Sequence, residues 1–329
     1  MRVAVLGAGG MGTACALVLG EQSRHAVTLW GRDPQTMAAM AEHRENRRLL
    51  PGIPLPPELV LTSDIGQAAS GAEAYVVAIP TRYLRDTLAA LAPAIPPRAA
   101  VVSVVKGIEN ETLLRPSSII RDCLGPRPII VLSGPCHAEE AARRLPASLV
   151  AACEDPDWAA RTQEMFTTDR FRVYTNRDVA GVELAGALKN VIAIAAGISD
   201  GLGYGDNAKA ALMTRGIVEM TRFGVALGAQ ASTFQGLAGI GDLITTCVSP
   251  HGRNRRVGER LARGEPLDAI TASLGGVAEG VNACAGAIGL AHRQGVDMPI
   301  ATEVARVLFE GKSPLDATDS LMQRPLRGE

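Results

Sequence analysis

Short apolar runs recur along the first half of the chain, and each of them ends in polar or turn-forming residues. Most of the runs are separated by segments whose apolar residues recur at helical spacing. Alternation of this kind predicts β-strands joined by α-helices in a mainly parallel sheet. The predicted strands are residues 2–6, 26–30, 75–79, 101–105, 129–132, 148–151 and 171–174.

The pattern changes near residue 176. From residue 178 onward helical periodicity dominates, interrupted by Gly-rich turns near 197–205, 236–241 and 275–280, and we find no convincing strand. A chain of 329 residues is long enough for about two domains. We therefore predict an α/β domain over residues 1–188 and an all-α domain over residues 189–329.

One lysine lies in the middle of the first apolar segment of the helical region. At helical spacing, Lys189 falls on the same stripe as Val182, Ala185, Ile192 and Ala196. A buried ammonium is costly unless it is paired or gives up its proton. A lysine held in this way can donate or accept a proton in catalysis. Alternatively, its stem packs along the apolar face and its charge reaches the surface.

Composition narrows the possible functions. The formal net charge of −1 argues against nucleic acid or an anionic membrane as the main partner. None of the six cysteines forms a CxxC pair, so we expect free thiols and no metal site. Residues 179–198 have the length of a membrane span but contain Glu183, Lys189 and Asn190, and each central charge costs about 2.5–3.5 kcal/mol. We predict a buried helix in a cytoplasmic protein, with no integral membrane segment or signal peptide.

A glycine-rich motif follows the first predicted strand. Residues 7–12, GAGGMG, match G-x-G-x-x-G and open a predicted helix, which is the required context. Gly7 permits a tight turn, Gly9 lets a pyrophosphate approach the backbone, and Gly12 allows close packing of helix on strand. Gly10 and Met11 lie at the helix start, where amides and the helix dipole attract phosphate. The motif predicts a Rossmann-like, dinucleotide-binding N-terminal domain.

The end of the second predicted strand bears on the choice between NAD and NADP. An acidic residue there binds the ribose 2′-hydroxyl of NAD, whereas a nearby arginine accommodates the 2′-phosphate of NADP. Here Trp30 is followed by Gly31 and Arg32, and no acid stands directly at the strand end. We predict that NADPH is accepted through Arg32, while Asp33 keeps NAD possible. Alternatively, Arg32 is a solvated surface residue.

Four further segments carry candidate chemistry. Lys106 follows the strand predicted at 101–105, at the sheet edge where α/β proteins bind ligands. Residues 133–139, SGPCHAE, form a turn after another strand, and a Gly-rich bend at 239–242 carries Asp242. Residues 251–256, HGRNRR, form a basic cluster without an acidic neighbour. Each also has a structural interpretation, because strand-end lysines, glycine turns and basic runs are common on protein surfaces.

Together these segments resemble one family, the bacterial-type NAD(P)-dependent glycerol-3-phosphate dehydrogenases. The most specific match is residues 181–212, GVELAGALKNVIAIAAGISDGLGYGDNAKAAL, followed by GLAGIGDLITTC at 236–247 and RNRRVG at 253–258. The resemblance implies reversible reduction of dihydroxyacetone phosphate to sn-glycerol 3-phosphate. It also implies an N-terminal Rossmann domain, a C-terminal helical domain, a homodimer, and supply of glycerophospholipid synthesis.

The resemblance also implies roles for individual residues. Lys189 is the expected proton donor and acceptor, and Lys106 and Asp242 complete the catalytic set. Substrate is expected to contact Lys106, Gly134, Cys136, Lys189, Asp242, Gly252, Arg253 and Asn254. With the glycine motif included, the cofactor is expected to contact Gly7, Gly9, Gly10, Met11, Gly12, Arg32, Lys106, Ala138, Arg253, Val277 and Glu279.

The chain departs from the family pattern in three places. The family usually has Ser-Trp at residues 10–11, Ser or Thr at Cys136 followed by an apolar or aromatic residue at His137, and Ser at Gly252. A thiol is a weaker hydrogen-bond partner than a hydroxyl, so substrate affinity is affected more than reaction type. One hypothesis is that His137 compensates by contacting the substrate.

Two other functions stay open at this point. Another two-domain dehydrogenase, such as a β-hydroxyacid or 6-phosphogluconate dehydrogenase, also combines a Rossmann domain, a helical domain and a catalytic lysine. The GDNAKAAL and GDL segments favour the glycerol phosphate interpretation. The second alternative is a non-catalytic NAD(P)-binding sensor. The joint presence of Lys106, Lys189, Asp242 and Arg253 argues against it.

Overall fold

The computed structural model describes residues 1–274, 277–325 and 328. The chain forms two compact units, the first from Met1–Lys106 and Leu114–Glu183, the second from Gly107–Leu113 and Leu184–Glu329. It therefore passes from one unit to the other three times. The domain boundary predicted at residues 188 and 189 lies in the same helix as the last passage; which residues fold as an independent domain stays a prediction.

An eight-stranded sheet forms the centre of the first unit. Its strands are β1 (Arg2–Leu6), β2 (Ala26–Trp30), β3 (Val60–Thr62), β4 (Ala74–Val77), β5 (Ala100–Ser103), β6 (Ile129–Ser133), β7 (Ala147–Ala152) and β8 (Phe171–Asn176). Their order is β3-β2-β1-β4-β5-β6-β7-β8. All neighbours pair in parallel except β6 and β7. The predicted mainly parallel α/β domain is confirmed.

Helices make up the rest of the regular structure. In the first unit they are α1 (Gly10–Gly20), α2 (Pro34–His43), α3 (Ile65–Ala69), α4 (Thr81–Leu91), α5 (Pro116–Leu124), α6 (Ala138–Ala142) and α7 (Pro156–Phe166). Helix α8 (Val179–Gly201) continues from the first unit into the second. The second unit adds α9 (Gly205–Ala226), α10 (Ala231–Phe234), α11 (Asp242–Val248), α12 (Arg253–Ala262), α13 (Leu267–Ser273), α14 (Glu279–Gln294), α15 (Pro299–Phe309) and α16 (Pro314–Met322). Its described residues contain no strand, which confirms the predicted helical region.

Both faces of the sheet are buried, which explains the continuous apolar runs in the sequence. In β1, Val3 and Val5 belong to a hydrophobic cluster that includes residues of α1 and α7. Ala4 and Leu6 belong to a second cluster, which includes residues of α4 and α5. Because successive side chains point to opposite faces of a sheet, the four positions of this central strand after the exposed Arg2 are all apolar.

Differences from the predicted strands occur at the sheet edges. The short edge strand β3 was missed, because three residues with Val60 42% exposed give no recognisable pattern. The strands predicted at 75–79 and 101–105 extend too far, since β4 ends at Val77 and β5 at Ser103. Of the apolar residues beyond these ends, Ile79, Val104 and Val105 are still buried and Ala78 is half-buried. The amides of Ala78 and Val104 still donate to carbonyl oxygens of the neighbouring strands, and the loops at the carboxyl edge begin after them.

Helices α8 and α12 cross with their backbones almost in contact. A Cβ built on Gly197 would lie 1.9 Å from the carbonyl oxygen of Arg255, and one built on Gly258 would lie 2.0 Å from that of Ile194. Only glycine allows this approach. The turn predicted at 197–205 was therefore wrong at its start, because Gly197 and Gly201 lie within α8. Of the turn predicted at 275–280, residues 275 and 276 lie outside the described residues.

Residues 107–113 pack against α14 within the second unit. A Cβ built on Gly286 would lie 2.9 Å from Cγ2 of Ile108, and one built on Gly289 would lie 3.1 Å from Cδ2 of Leu113. Ile108 is buried. The two glycines thus leave a notch on α14 that this short segment fills.

Helix α8 is the one described helix that is long and apolar enough to cross a membrane. Of its most apolar window, 89% is buried inside the protein, as expected for a core helix. Its buried Glu183 accepts hydrogen bonds from the backbone amide and hydroxyl of Ser117, at 2.7 Å each, and pairs with Arg115. The charges within this apolar helix are therefore bound by the protein itself.

A second buried carboxylate lies in the helical unit. The carboxylate of Glu219, on α9, accepts hydrogen bonds of 2.9 Å from the amides of Ile300 and Ala301 in the first turn of α15. Burial raises the pKa of Glu219 from 4.5 to about 7. The folded protein therefore holds a proton between these pH values that the unfolded chain releases.

Glu219 should make the protein less stable as pH rises. We expect the free energy of unfolding to fall by up to about 3 kcal/mol from pH ~4.5 to pH ~7 through this group, because the unfolded state binds fewer protons there. Urea unfolding of wild type and Glu219→Gln at several pH values measures the effect, with the exposed Glu58→Gln as control. Parallel pH profiles for wild type and Glu219→Gln would contradict it.

Candidate active site

The glycine-rich loop after β1 forms a cradle in the first unit. Gly7 has a φ of +116°, and a Cβ there would lie 2.7 Å from the carbonyl oxygen of Ala78. A Cβ on Gly12 would lie 1.8 Å from the carbonyl oxygen of Gly7, whereas one on Gly9 would meet nothing within 4 Å. The loop is therefore closed on its inner side and open above Gly9. The open side, at the start of an eleven-residue helix without acidic residues in its first turn, fits a pyrophosphate.

The loop after β6 lies beside this cradle. A Cβ on Gly10 would lie 3.5 Å from Cβ of Ala138. The ammonium of Lys106, three residues beyond β5, donates a 3.0 Å hydrogen bond to the carbonyl oxygen of Gly134. Gly134 has a φ of +136°, which requires glycine, and the half-buried Cys136 packs against the core. The structure thus brings five of the residues predicted for cofactor or substrate binding into one region.

The carboxylate of Asp33 is used by helix α2. It accepts hydrogen bonds from the Thr36 hydroxyl and from the amides of Thr36 and Gln35, the last two at 3.1 and 3.3 Å. These bonds, chiefly those from Thr36, hold the pKa of Asp33 below its usual value. Arg32 beside it is exposed. The charged group at the end of β2 that remains available to a cofactor is therefore the guanidinium.

In the second unit, Lys189 forms a buried ion pair. Its ammonium lies 2.6 Å from Oδ1 of Asp242 and donates a 2.6 Å hydrogen bond to Oγ1 of Thr246. Lys189 is 7% exposed and Asp242 is 1% exposed, and the other residues of the stripe predicted around Lys189 are buried. The predicted buried stripe is confirmed. The carboxylate and hydroxyl hold the ammonium at a fixed position in an apolar helix.

A π-helical turn places Asp242. The turn spans Leu237–Gly241 and leads directly into α11. The predicted Gly-rich bend at 239–242 was therefore wrong, because these residues are helical. A Cβ on Gly239 would lie 2.1 Å from the carbonyl oxygen of Phe234, so glycine is needed there. The Thr246 hydroxyl donates to the carbonyl oxygen of Asp242 at 2.6 Å, which leaves its oxygen as acceptor for the lysine. Turns of this type are frequent at functional sites.

The start of α12 lies against the same part of α8. Asn254 donates a 3.0 Å hydrogen bond to Oδ1 of Asn190 and accepts one of 3.0 Å from the amide of Gly280. Nη1 of Arg253 lies 3.4 Å from the carbonyl oxygen of Val277, two residues before Glu279. The lysine's neighbour, the basic cluster and the start of α14 therefore form one hydrogen-bonded group. Gly252 is the N-cap of α12 and offers no side-chain cap.

Three residues of this group were missed by the sequence analysis. Thr246 follows Asp242 by four residues, and the same-face spacing of an Asp and a Thr on a helix was a usable signal. Asn190 is the immediate neighbour of Lys189. For Gly280 the sequence carries no signal, because its close approach to the carbonyl oxygen of Asn190, 2.7 Å from a built Cβ, depends on packing.

The predicted residues thus fall into two groups, one in each unit. Arg32, Lys106 and the residues of the glycine-rich loop and of the loop after β6 belong to the first. Lys189, Asp242 and the residues at the starts of α12 and α14 belong to the second. Among the described residues, no group of three or more His, Cys, Asp or Glu side chains is arranged to hold a metal ion.

Comparison with known proteins covers almost the whole chain. Residues 2–159 match the model for the N-terminus of NAD-dependent glycerol-3-phosphate dehydrogenase, and residues 178–319 match the model for its C-terminus. A glycerol-3-phosphate dehydrogenase (NAD(P)+) of Citrifermentans bemidjiense is 46% identical over 331 residues, covering 100% of this chain and 98% of that protein. One from Listeria monocytogenes serotype 4b is 47% identical over 326 residues, covering 98% and 96%.

A solved structure agrees with these matches. The glycerol-3-phosphate dehydrogenase of Coxiella burnetii superimposes with a TM-score of 0.95 at 35% identity, over 98% of this chain and 99% of that one. Both halves of the chain therefore match the same family, in sequence and in fold. The chain belongs to the NAD-dependent glycerol-3-phosphate dehydrogenase family.

Proposed function

We propose that this protein reversibly reduces dihydroxyacetone phosphate to sn-glycerol 3-phosphate with NAD(P)H. The observation that carries the proposal is the buried Lys189–Asp242 pair with Thr246, found in a chain whose relatives are named for this enzyme. A buried, charge-paired lysine is an expensive feature for a fold to maintain, and an acid–base role accounts for it.

The residues of the second unit suit the reduction of a ketone. The reduced nicotinamide, when bound, supplies a hydride to the carbonyl carbon. Negative charge then develops on the carbonyl oxygen, and we assign its stabilisation and protonation to the ammonium of Lys189. Asp242 and Thr246 hold that ammonium from two sides, so its orientation is set before the substrate binds. Lys106 is proposed to contact substrate and cofactor.

The phosphate of the substrate is assigned to the start of α12. Backbone amides in the first turn of a helix lack intrahelical partners and attract anions. This helix has no acidic residue in its first turn and begins with Arg253, whose planar fork suits a phosphate. Both ends of the Asn254 amide already have protein partners, so we propose that Asn254 mainly holds this turn beside Lys189.

A direct assay tests the proposal. The purified protein is mixed with dihydroxyacetone phosphate and either NADPH or NADH, and the nicotinamide absorbance is followed. In the oxidative direction, sn-glycerol 3-phosphate, β-hydroxyacids and 6-phosphogluconate are each tested with NADP+ or NAD+. We expect turnover with dihydroxyacetone phosphate and sn-glycerol 3-phosphate only. A protein that binds NADPH but turns over none of the substrates would instead be a sensor. We also propose that the protein is a homodimer, which sedimentation velocity tests. We further propose that it is a cytoplasmic enzyme that supplies glycerophospholipid synthesis.

Arg32 should favour NADPH over NADH. Because Asp33 is engaged by α2, the exposed guanidinium is the charged group available to the adenosine ribose. A hydrogen bond to a charged group contributes about 1.5–3 kcal/mol, so we expect Arg32→Ala to lower kcat/KM for NADPH about tenfold or more relative to NADH. The measurement is that ratio in wild type and variant. An unchanged ratio would remove Arg32 from this role.

A further inference from the structure

The ring of Tyr83 contacts two guanidinium groups at the carboxyl edge of the sheet. Its ring centroid is 4.7 Å from Cζ of Arg82 and 5.8 Å from Cζ of Arg32. All three residues are exposed. Tyr83 stands in the first turn of α4, which follows β4, whereas Arg32 follows β2. Because β2 and β4 both pair with β1, this contact spans the strand that leads into the glycine-rich loop.

The two guanidiniums carry charge that the protein leaves unneutralised. In the described part of the chain, no carboxylate lies within 4.0 Å of either one, although other exposed arginines such as Arg47 and Arg144 have such partners. Asp33, the acid that follows Arg32 in sequence, is hydrogen-bonded to the start of α2 and also feels the charge of Arg48. Like charges gathered around one ring repel each other, and the electron-rich ring face offsets part of that repulsion.

The position of this cluster is that of a cofactor's adenosine. In doubly wound sheets the ligand lies outside the carboxyl ends of the strands where the strand order reverses, here between β1 and β4. The ribose of the adenosine lies near the end of the second strand. Arg32 is on that side, and Arg82 is on the β4 side of the same loop. A dianion bound there would neutralise both guanidiniums, whereas a ribose hydroxyl would neutralise neither.

We propose that Arg32 and Arg82, which both contact the ring of Tyr83, form a clamp for the 2′-phosphate of NADP. Arg82 is then a second 2′-phosphate ligand, and Tyr83 is a positioning residue that keeps both guanidiniums directed at one anion. The proposal rests on the proposed function in that it places the cofactor's adenosine on this edge. It goes further in naming the residues that select the phosphorylated form.

Binding of nucleotide fragments tests the clamp without turnover. Titration calorimetry compares adenosine 2′,5′-bisphosphate with adenosine 5′-monophosphate on wild type, Arg82→Ala, Tyr83→Phe and Tyr83→Ala. Arg161→Ala is the matched control, because its guanidinium lies 4.9 Å from the Trp158 ring, on α7 and away from this loop. We expect Arg82→Ala to weaken the bisphosphate about tenfold and the monophosphate less than about twofold. Its bisphosphate affinity should also depend less on salt concentration.

The two Tyr83 variants test whether the ring positions the guanidiniums or only stabilises the fold. Tyr83→Phe keeps the ring and should bind the bisphosphate like wild type, whereas Tyr83→Ala should weaken it several-fold at an unchanged Tm. In turnover assays, Tyr83→Ala should raise the KM for NADPH and leave kcat unchanged. The clamp is wrong if Arg82→Ala behaves like Arg161→Ala, or if it weakens both nucleotides equally. A protein that passes these tests yet fails to reduce dihydroxyacetone phosphate would overturn the proposed function and leave the clamp standing.

Discussion

Replacing Lys189 with methionine should lower kcat for dihydroxyacetone phosphate reduction by about a thousandfold or more. Proton transfer by a positioned side chain contributes about 10²–10⁴, and charge stabilisation at the developing oxyanion adds to it. Methionine fills the space of the lysine stem but can do neither. Because Asp242 is 1% exposed and loses its cation, we also expect a loss of about 3–5 kcal/mol in stability.

A double variant separates the two effects. Lys189→Met with Asp242→Asn removes both buried charges, so most of the lost stability should return while kcat stays low. Urea unfolding, kcat and NADPH affinity are measured on the single and double variants. NADPH affinity reports that the first unit is intact. Wild-type turnover by Lys189→Met would refute the proton-transfer role, and an unstable double variant would show that the pair is not the source of the stability change.

An added methyl group should lower the stability of the protein at Gly12 but not at Gly9, in the same glycine-rich loop. Gly12→Ala places a Cβ 1.8 Å from the carbonyl oxygen of Gly7, and neither group can move without displacing backbone. We expect a stability loss of about 3 kcal/mol or more, at the upper end for overpacking. Gly9→Ala meets nothing within 4 Å, so its Tm should match wild type.

Gly9→Ala should nevertheless bind NADPH and NADH about tenfold more weakly or worse. Its methyl group would point into the open side of the cradle, where we place the pyrophosphate, and both cofactors share that group. Thermal unfolding and titration with each cofactor give the two readouts. Normal cofactor affinity in Gly9→Ala would move the pyrophosphate away from this side of the loop.

The parallel sheet could be predicted because its chemistry is local. Strands buried on both faces are mostly apolar, and β1 and β2 appear in the sequence as short, bounded runs. At Gly197 the local sequence does not determine the local structure. Glycine supports turns and also close helix crossings, and the sequence does not distinguish the two. At Gly197 the helix crossing is shown by the close contact with Arg255, a residue 58 positions later in the chain.

The sequence marks individual residues of the candidate site, but it does not predict the ion pairs and hydrogen bonds between them. The sequence marks Lys189 as a charge on an apolar stripe and Asp242 as an acid in a glycine-rich segment. That these two form an ion pair depends on how α8 and α11 pack. The same holds for the hydrogen bonds of Asn254 to Asn190 and Gly280, while its contact with substrate stays a prediction. Hydrogen bonds of this kind appear only once the fold exists.

The notch on α14 filled by residues 107–113 limits how this chain could have been assembled or recombined. The helical unit is discontinuous in sequence, since one of its parts is encoded inside the nucleotide-binding half. A single cut near residue 183 therefore yields a C-terminal fragment that lacks the buried Ile108 and leaves Gly286 and Gly289 uncovered. Exchange of the helical unit between relatives must therefore transfer residues 107–113 together with the part that begins at residue 184. We expect the sequences of these two parts to change together.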